Sequence, residues 1–167
     1  MNTTLVLVAG LPGTGKTYFA ERLATQLQAH HLNTDGTRER LGLTGQYAPE
    51  IKQQVYHSLY QLTRQYLYWG EGVVLDATFH LASRRAEALE LAQQAQVPCR
   101  MIRITARDNL IRNRLDRPRP DSEADEEVYD SLRVTEEPIL HPHLVLISGD
   151  QTIDEMVHMG AHFVQMA

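Results

Sequence analysis

Residues 4–17 read Thr-Leu-Val-Leu-Val-Ala-Gly-Leu-Pro-Gly-Thr-Gly-Lys-Thr. The apolar run Leu5–Ala9 passes directly into Gly10-Leu11-Pro12-Gly13-Thr14-Gly15-Lys16-Thr17. A buried strand, then G-x-x-x-x-G-K-[ST], then a helix is the phosphate-binding loop in the context its chemistry requires. Gly10, Gly13 and Gly15 let the backbone curl so that successive N–H groups converge into an anion nest. The helix beginning near Gly15 adds its partial positive end to the same spot. Lys16 is placed to reach β- and γ-phosphate oxygens, and the Thr17 hydroxyl to ligate magnesium. The expected ligand is a nucleoside triphosphate with magnesium, taken as ATP and Mg2+. The alternative, a glycine-rich strand–helix turn with a chance lysine, does not explain the complete octet.

At 167 residues the chain is expected to form one domain, 1–167, large enough to bury a core. No apolar stretch is long enough to span a bilayer, and the first residues read as a strand rather than a signal peptide. Cys99 is the sole cysteine, which excludes a disulfide framework and a cysteine-based zinc site. A cytoplasmic location and no membrane partner are the expectations. The net charge of −5 weighs against a broad nucleic-acid surface, which needs a basic excess, and leaves a nucleic-acid end as a disfavoured acceptor. Only Lys16 and Lys52 are lysines, and the remaining basic residues are arginines, suited to bidentate phosphate contacts.

Periodicity predicts a helix from about Gly15 to His30, a short strand His31–Thr34, and a short helix opened by Asp35 that ends near Gly42. A loop, 42–48, precedes a long amphipathic helix from about Pro49 to Trp69, with Ile51, Val55, Leu59, Leu62 and Tyr66 along one side. Strands at Val73–Asp76, Cys99–Thr105 and Leu144–Ile147 follow. Helices are expected between and after them, over about 83–96, 108–115, 123–134 and 152–165. Five short strands alternating with helices require an α/β architecture, a parallel sheet covered on both faces. Ligands of such sheets sit at the carboxyl ends of the strands, so the exit residues are the candidates for function.

The second strand exits into Asp35-Gly36-Thr37-Arg38. Asp35 could accept a proton from an attacking hydroxyl, and Arg38, one helical turn on, could clamp an anionic part of the acceptor. A helix N-cap is the other reading of Asp35, and a solvated surface residue that of Arg38. The third strand exits at Asp76, an acid placed to serve magnesium with Thr17. Thr78 is a further candidate for touching the acceptor, with His80 a weaker one, and Arg84 and Arg85 could reach acceptor phosphates, with a surface role for at least one of them. Arg107, Arg112, Arg114, Arg117 and Arg119 follow the fourth strand, which itself contains Arg103. They suggest a mobile lid at about 107–122 that closes over the triphosphate and excludes water, with Arg114 and Arg117 neutralising charge on the transferring phosphoryl. A solvated basic helix is the alternative. His141 and His143 flank Pro142 without a visible third ligand and read as a loop.

The phosphate loop, Asp35-x-x-Arg38, Leu75-Asp76-Ala77-Thr78-Phe79 and the arginine-rich segment together resemble the small phosphate-loop kinases related to the kinase domain of phage polynucleotide kinase. Zeta toxins and chloramphenicol phosphotransferase are similar relatives. The resemblance implies a P-loop NTPase fold, an adenylate-kinase-like three-layer sandwich with five parallel strands in the order 2-3-1-4-5. It implies transfer of the γ-phosphate of ATP to a hydroxyl. In polynucleotide kinases an aspartate matching Asp35 activates the 5′-hydroxyl, an arginine matching Arg38 contacts the adjacent phosphate, and lid arginines match within residues 112–117. The expected function is an ATP-dependent kinase whose hydroxyl-bearing acceptor is a polynucleotide end, a metabolite or an antibiotic. The rival is a nucleotide-dependent switch or partner-binding ATPase with no phosphoryl acceptor.

Overall fold

The computed structural model describes residues 3–117 and 124–166. Five strands, β1 (Leu5–Ala9), β2 (His30–Asn33), β3 (Val73–Ala77), β4 (Cys99–Ala106) and β5 (Leu144–Ser148), form one sheet in the order β2-β3-β1-β4-β5. All four pairings are parallel. The sheet is thus the α/β arrangement expected from the alternation of elements, in the order implied by the family resemblance.

Side-chain alternation along the strands builds the two faces of the sheet. Leu5, Leu7, Ala9, Val73, Leu75 and Met101 pack into one core with α3 (Pro49–Tyr68) and α4 (Ala82–Gln94). Val6, Val8, Val74, Ile102, Ile104 and Leu146 pack into the other with α1 (Lys16–Leu27) and α7 (Ile153–Gln165). The central strand β1 is buried along its whole length, which explains its unbroken apolar run. The same parity places Asp76 on the face of Val74, toward α1, at the exit of β3. Asp76 is in register with Val8 of β1 and Asn33 of β2.

The element ends differ from expectation by up to three residues, as where α1 stops at Leu27 rather than near His30. β2 ends at Asn33 rather than Thr34 because the Asn33 side chain turns back to cap α2 (Thr34–Arg40), accepting from the Gly36 N–H at 2.6 Å. α7 is opened by a capping box in which Thr152 and Glu155 bond reciprocally. Two further helices, α5 (Asp108–Leu115) and α6 (Glu126–Thr135), rest on the phosphate loop through Leu11, Ile111, Leu115 and Tyr129. The proposed lid at about 107–122 therefore begins as a packed wall, and its segment 118–123, with Arg119, lies outside the described residues. Among the described residues no helix is long and apolar enough to cross a membrane.

Gly10 carries the tightest backbone approach in the loop. A Cβ there would stand 2.6 Å from the Ile104 carbonyl oxygen and 2.8 Å from Thr14 Oγ1. Neither neighbour is the free end of a flexible chain, because Ile104 lies in β4 and Thr14 Oγ1 is fixed by donation to the Leu11 carbonyl at 2.8 Å. Gly10→Ala is expected to lower stability by about 1–3 kcal/mol in chemical denaturation, the usual cost of overpacking. An unchanged midpoint would contradict this packing.

Candidate active site

The loop between β1 and α1 owes its shape to two left-handed glycines, Gly13 at φ 80° and Gly15 at φ 88°. Gly15 is the residue that precedes α1, so the first N–H groups of the helix face the concavity without a side-chain cap. Lys16 and Thr17 open the helix. Both line a cavity of ≈ 250 Å³ that runs from the loop, past the exits of β2 and β3, to α3 and α6. Pro12, Asp35, Arg38, Asp76, Thr78 and His80 line the same cavity. Sequence-distant candidates are thus brought together: the loop lysine and threonine on one wall, and the β2 and β3 exit residues on the other.

Asp76 is buried, and its Oδ1 has no hydrogen-bond partner among the described residues. Its Oδ2 faces His31 Nε2 at 3.4 Å. A buried carboxylate oxygen without a donor is costly unless something absent from the chain satisfies it. With the Thr17 hydroxyl on the same cavity, this donor set suits Mg2+, which takes one or two protein oxygens and completes its octahedron with water and phosphate. Among the described residues no three His, Cys, Asp or Glu side chains gather as a self-contained metal site.

Asp35 is not the helix N-cap, because Asn33 holds that position. Asp35 lies in the first turn of α2, where its Oδ1 accepts from Arg38 at 2.6 Å. Burial pushes the Asp35 carboxyl above its ordinary range. Arg38 and Lys16 pull it down and Asp76 pushes it up, but burial wins. Arg38 is buried rather than solvated, and its guanidinium lies over the Tyr47 ring at 4.5 Å. Its Nε has no partner among the described residues.

The arginines sort differently from expectation. Arg85, read as a residue that could meet acceptor phosphates, is buried and donates to the carbonyls of Phe79, His80, Glu137 and Pro138. It pins the turn after β3, where Phe79 sits at φ 47°, to the segment after α6. Arg84 lies over the Tyr56 ring and pairs with Glu87. Arg103 pairs with Glu136 and Arg107 with Asp150. Arg112 is bound by Asp108, Glu126 and Asp130, tying α5 to α6. Arg114 reaches the phosphate loop, donating to the Gly13 carbonyl at 3.1 Å and Ser148 Oγ at 2.9 Å. Arg117 is exposed and does not line the cavity.

Thr78 Oγ1 and His80 Nδ1 are 3.1 Å apart on the cavity wall. Burial first, and then the Lys52 charge, hold the His80 imidazole below its ordinary pKa, which favours the neutral ring. Sequence reasoning did not assign Lys52, Tyr47 or Tyr56 to the site. All three line the cavity. The available signal was that Lys52 is the only lysine besides that of the phosphate loop.

The family described as AAA domain matches residues 5–139, so the chain belongs to that family. Among curated proteins no sequence matches it. Solved structures of similar fold include a candidate kinase from Chloroflexus aurantiacus j-10-fl, 20% identical, with TM-score 0.77 over 99% of this chain and 100% of that one. Mycobacterium tuberculosis APS kinase CysC in complex with AMPPNP and APS is 19% identical, with TM-score 0.76 over 98% of each chain. Chaetomium thermophilum Kti12 in complex with ADP-AlF3 is 18% identical, with TM-score 0.74 over 96% of this chain and 98% of that one. The fold is that of the P-loop kinases.

Replacing Arg85 by Met keeps its stem but removes the donors that four carbonyls share. A loss on the order of 3 kcal/mol is expected in urea denaturation. A loss within the ~0.5 kcal/mol of an ordinary surface change would show that the turn after β3 does not depend on it.

Proposed function

We propose that this member of the AAA domain family is a magnesium-dependent ATP phosphotransferase acting on a hydroxyl acceptor. One observation carries the reading. A single cavity holds the Lys16 and Thr17 side chains, an Asp76 carboxylate with an unpartnered buried oxygen, and an Asp35 carboxylate whose burial raises its pKa. A plain nucleotide-binding switch needs the first three groups but not the fourth.

In this reading the loop N–H groups and Lys16 hold the triphosphate. Thr17 and Asp76 hold Mg2+, which when bound neutralises charge on the β- and γ-phosphates. Arg38 fixes Asp35 through Oδ1, leaving Oδ2 for the acceptor hydroxyl. The acceptor oxygen bonds to the γ-phosphorus as the bond from that phosphorus to the β,γ-bridging oxygen breaks. Asp35 takes the hydroxyl proton, and ADP leaves. A base with a raised pKa accepts a proton more readily than an ordinary carboxylate. Arg114, already against the loop, supplies positive charge where it develops in transfer. Arg117 would have to move to take part.

Asp35→Asn should abolish transfer of γ-label while leaving nucleotide affinity within about twofold, since Asn keeps an acceptor for Arg38 but not the base. Undiminished nucleotide turnover in that variant would favour the switch. The pH dependence has a definite sign. Asp35 must be ionised to act, so kcat/KM should fall as pH drops through its folded pKa, with an acid limb above the ordinary carboxylate value. The same raised pKa means that the folded state holds this proton more tightly than the unfolded one. Stability from this group is therefore lost as pH rises through that folded pKa. Asp35→Asn is accordingly expected to melt no lower than the parent at pH 7. A lower melting temperature would show that the charged Asp35–Arg38 pair stabilises the fold.

A further inference from the structure

Leu32 packs into the core with α3 and α4, so its neighbours on β2, His31 and Asn33, turn to the opposite face of the sheet. That is the face Asp76 shares with Val74. Asn33 is in register with Asp76, and His31 with Val74, two residues earlier. These two β2 side chains are therefore the ones that strand parity sets beside the carboxylate. The Asn33 amide oxygen is spent on the α2 cap, accepting from the Gly36 N–H. His31 is left to serve Asp76, its Nε2 standing 3.4 Å from Oδ2.

A carboxylate oxygen only accepts, so Nε2 carries the hydrogen of this bond. No other side chain or backbone group among the described residues donates to the Asp76 carboxylate. The pair is sheltered, with side-chain exposures of 17% for His31 and 1% for Asp76. Asp76 lines the cavity, and His31 does not. The ring stands behind the carboxylate, where it can act on the cavity through Asp76 alone.

The two oxygens of an aspartate exchange places by rotation about the last side-chain bond, a broad and nearly two-fold torsion. A donor on Oδ2 removes that freedom and commits the buried, unpartnered Oδ1 to the cavity. The bond is longer than the roughly 2.9–3.0 Å of a typical N–H···O contact, so it adds little to the stability of the free protein. Its consequence lies in orientation. A ligating carboxylate already held by an outer hydrogen bond does not have to be ordered when the metal arrives.

We propose that His31 is a positioning residue for the magnesium-side carboxylate: its Nε2–H fixes Asp76 through Oδ2 and leaves Oδ1 for Mg2+. This rests on the reading of Thr17 and Asp76 as the magnesium-binding pair, but asks nothing of the acceptor or of transfer.

The test measures the affinity of the full chain for AMPPNP by calorimetry, once with excess magnesium and once with EDTA. His31→Phe keeps a ring without the donor, and His31→Gln restores an N–H at similar reach. In magnesium, His31→Phe is expected to weaken AMPPNP by about tenfold or more, the usual effect of losing the partner behind a metal ligand, with the EDTA value within about twofold of the parent. His31→Gln should recover most of that loss. A second readout uses the parent chain and so does not depend on either variant folding. Nitrogen NMR of the His31 ring, assigned through bonds from its backbone, should show the hydrogen on Nε2, and that resonance should move when magnesium is added to the AMPPNP complex. Equal weakening in EDTA would mean that the ring only shapes the fold, and overturns the proposal. Full affinity of His31→Phe in magnesium, no recovery with His31→Gln, or a bare Nε2 in the parent overturns it as well. A parent chain whose AMPPNP affinity ignores magnesium removes the metal reading and this role with it. A magnesium-specific loss in His31→Phe, in a chain that transfers label to no acceptor, would still support the role of His31 and count against the kinase reading alone.

Discussion

The structure depends on one close approach, that of the glycine-lined turn to its neighbours between β1 and α1. Gly10 lies so near the Ile104 carbonyl and Thr14 that any side chain would intrude, and Gly13 and Gly15 take left-handed conformations that few other residues tolerate. This turn swings the first N–H groups of α1 into the cavity and brings Lys16 with them. The parallel sheet then does the rest. Because β2, β1 and β3 are adjacent and run the same way, their exits open on the same side. Alternation along β3 turns Asp76 toward α1 rather than toward α3. The proposed site is a consequence of strand direction and parity before it is a matter of individual side chains.

A tension between stability and chemistry runs through that site. Among the described residues, buried side-chain polar atoms elsewhere have partners, Arg85 with four carbonyl acceptors being the fullest case. In the cavity the opposite holds. Asp76 Oδ1 and Arg38 Nε lack partners among the described residues, and Asp35 is held at a raised pKa. Unmade hydrogen bonds and uncompensated charges cost free energy in the free protein and are recovered when a ligand supplies the missing groups. That these three groups fall on one cavity supports reading it as a place where a polyanion, a metal and an acceptor meet.

The sheet and the phosphate loop were legible because their signals are local. An apolar run, three glycines and a lysine at set spacing demand one geometry, and helices and strands with strong periodicity follow within about three residues. Asp35, Arg38 and Asp76 could be named from their positions at strand exits, but not what each touches. Whether Asp35 or Asn33 caps α2 turns on where the backbone enters the helix, which is two residues before the point that Asp35 suggested. Whether Arg85 points outward or is swallowed turns on a segment some fifty residues later. The arginine-rich stretch was the least legible, since charge density along the chain does not show that Arg107 is bound by Asp150, just after β5, and Arg112 by acids of α6. Lys52 and the tyrosines stayed hidden because their place on the cavity comes only from how α3 and the loop before it lie over the strand exits.

A structure of the protein with AMPPNP and magnesium tests the central claim most directly. The account requires the triphosphate seated on the N–H groups of residues 13–17. The metal should be held through Thr17 and Asp76, and the terminal phosphorus should face the Asp35 carboxyl across a gap that one hydroxyl oxygen can fill. A nucleotide bound away from this loop would contradict it. So would a terminal phosphate from which Asp35 is turned away, with Arg38 or another residue filling the space between them.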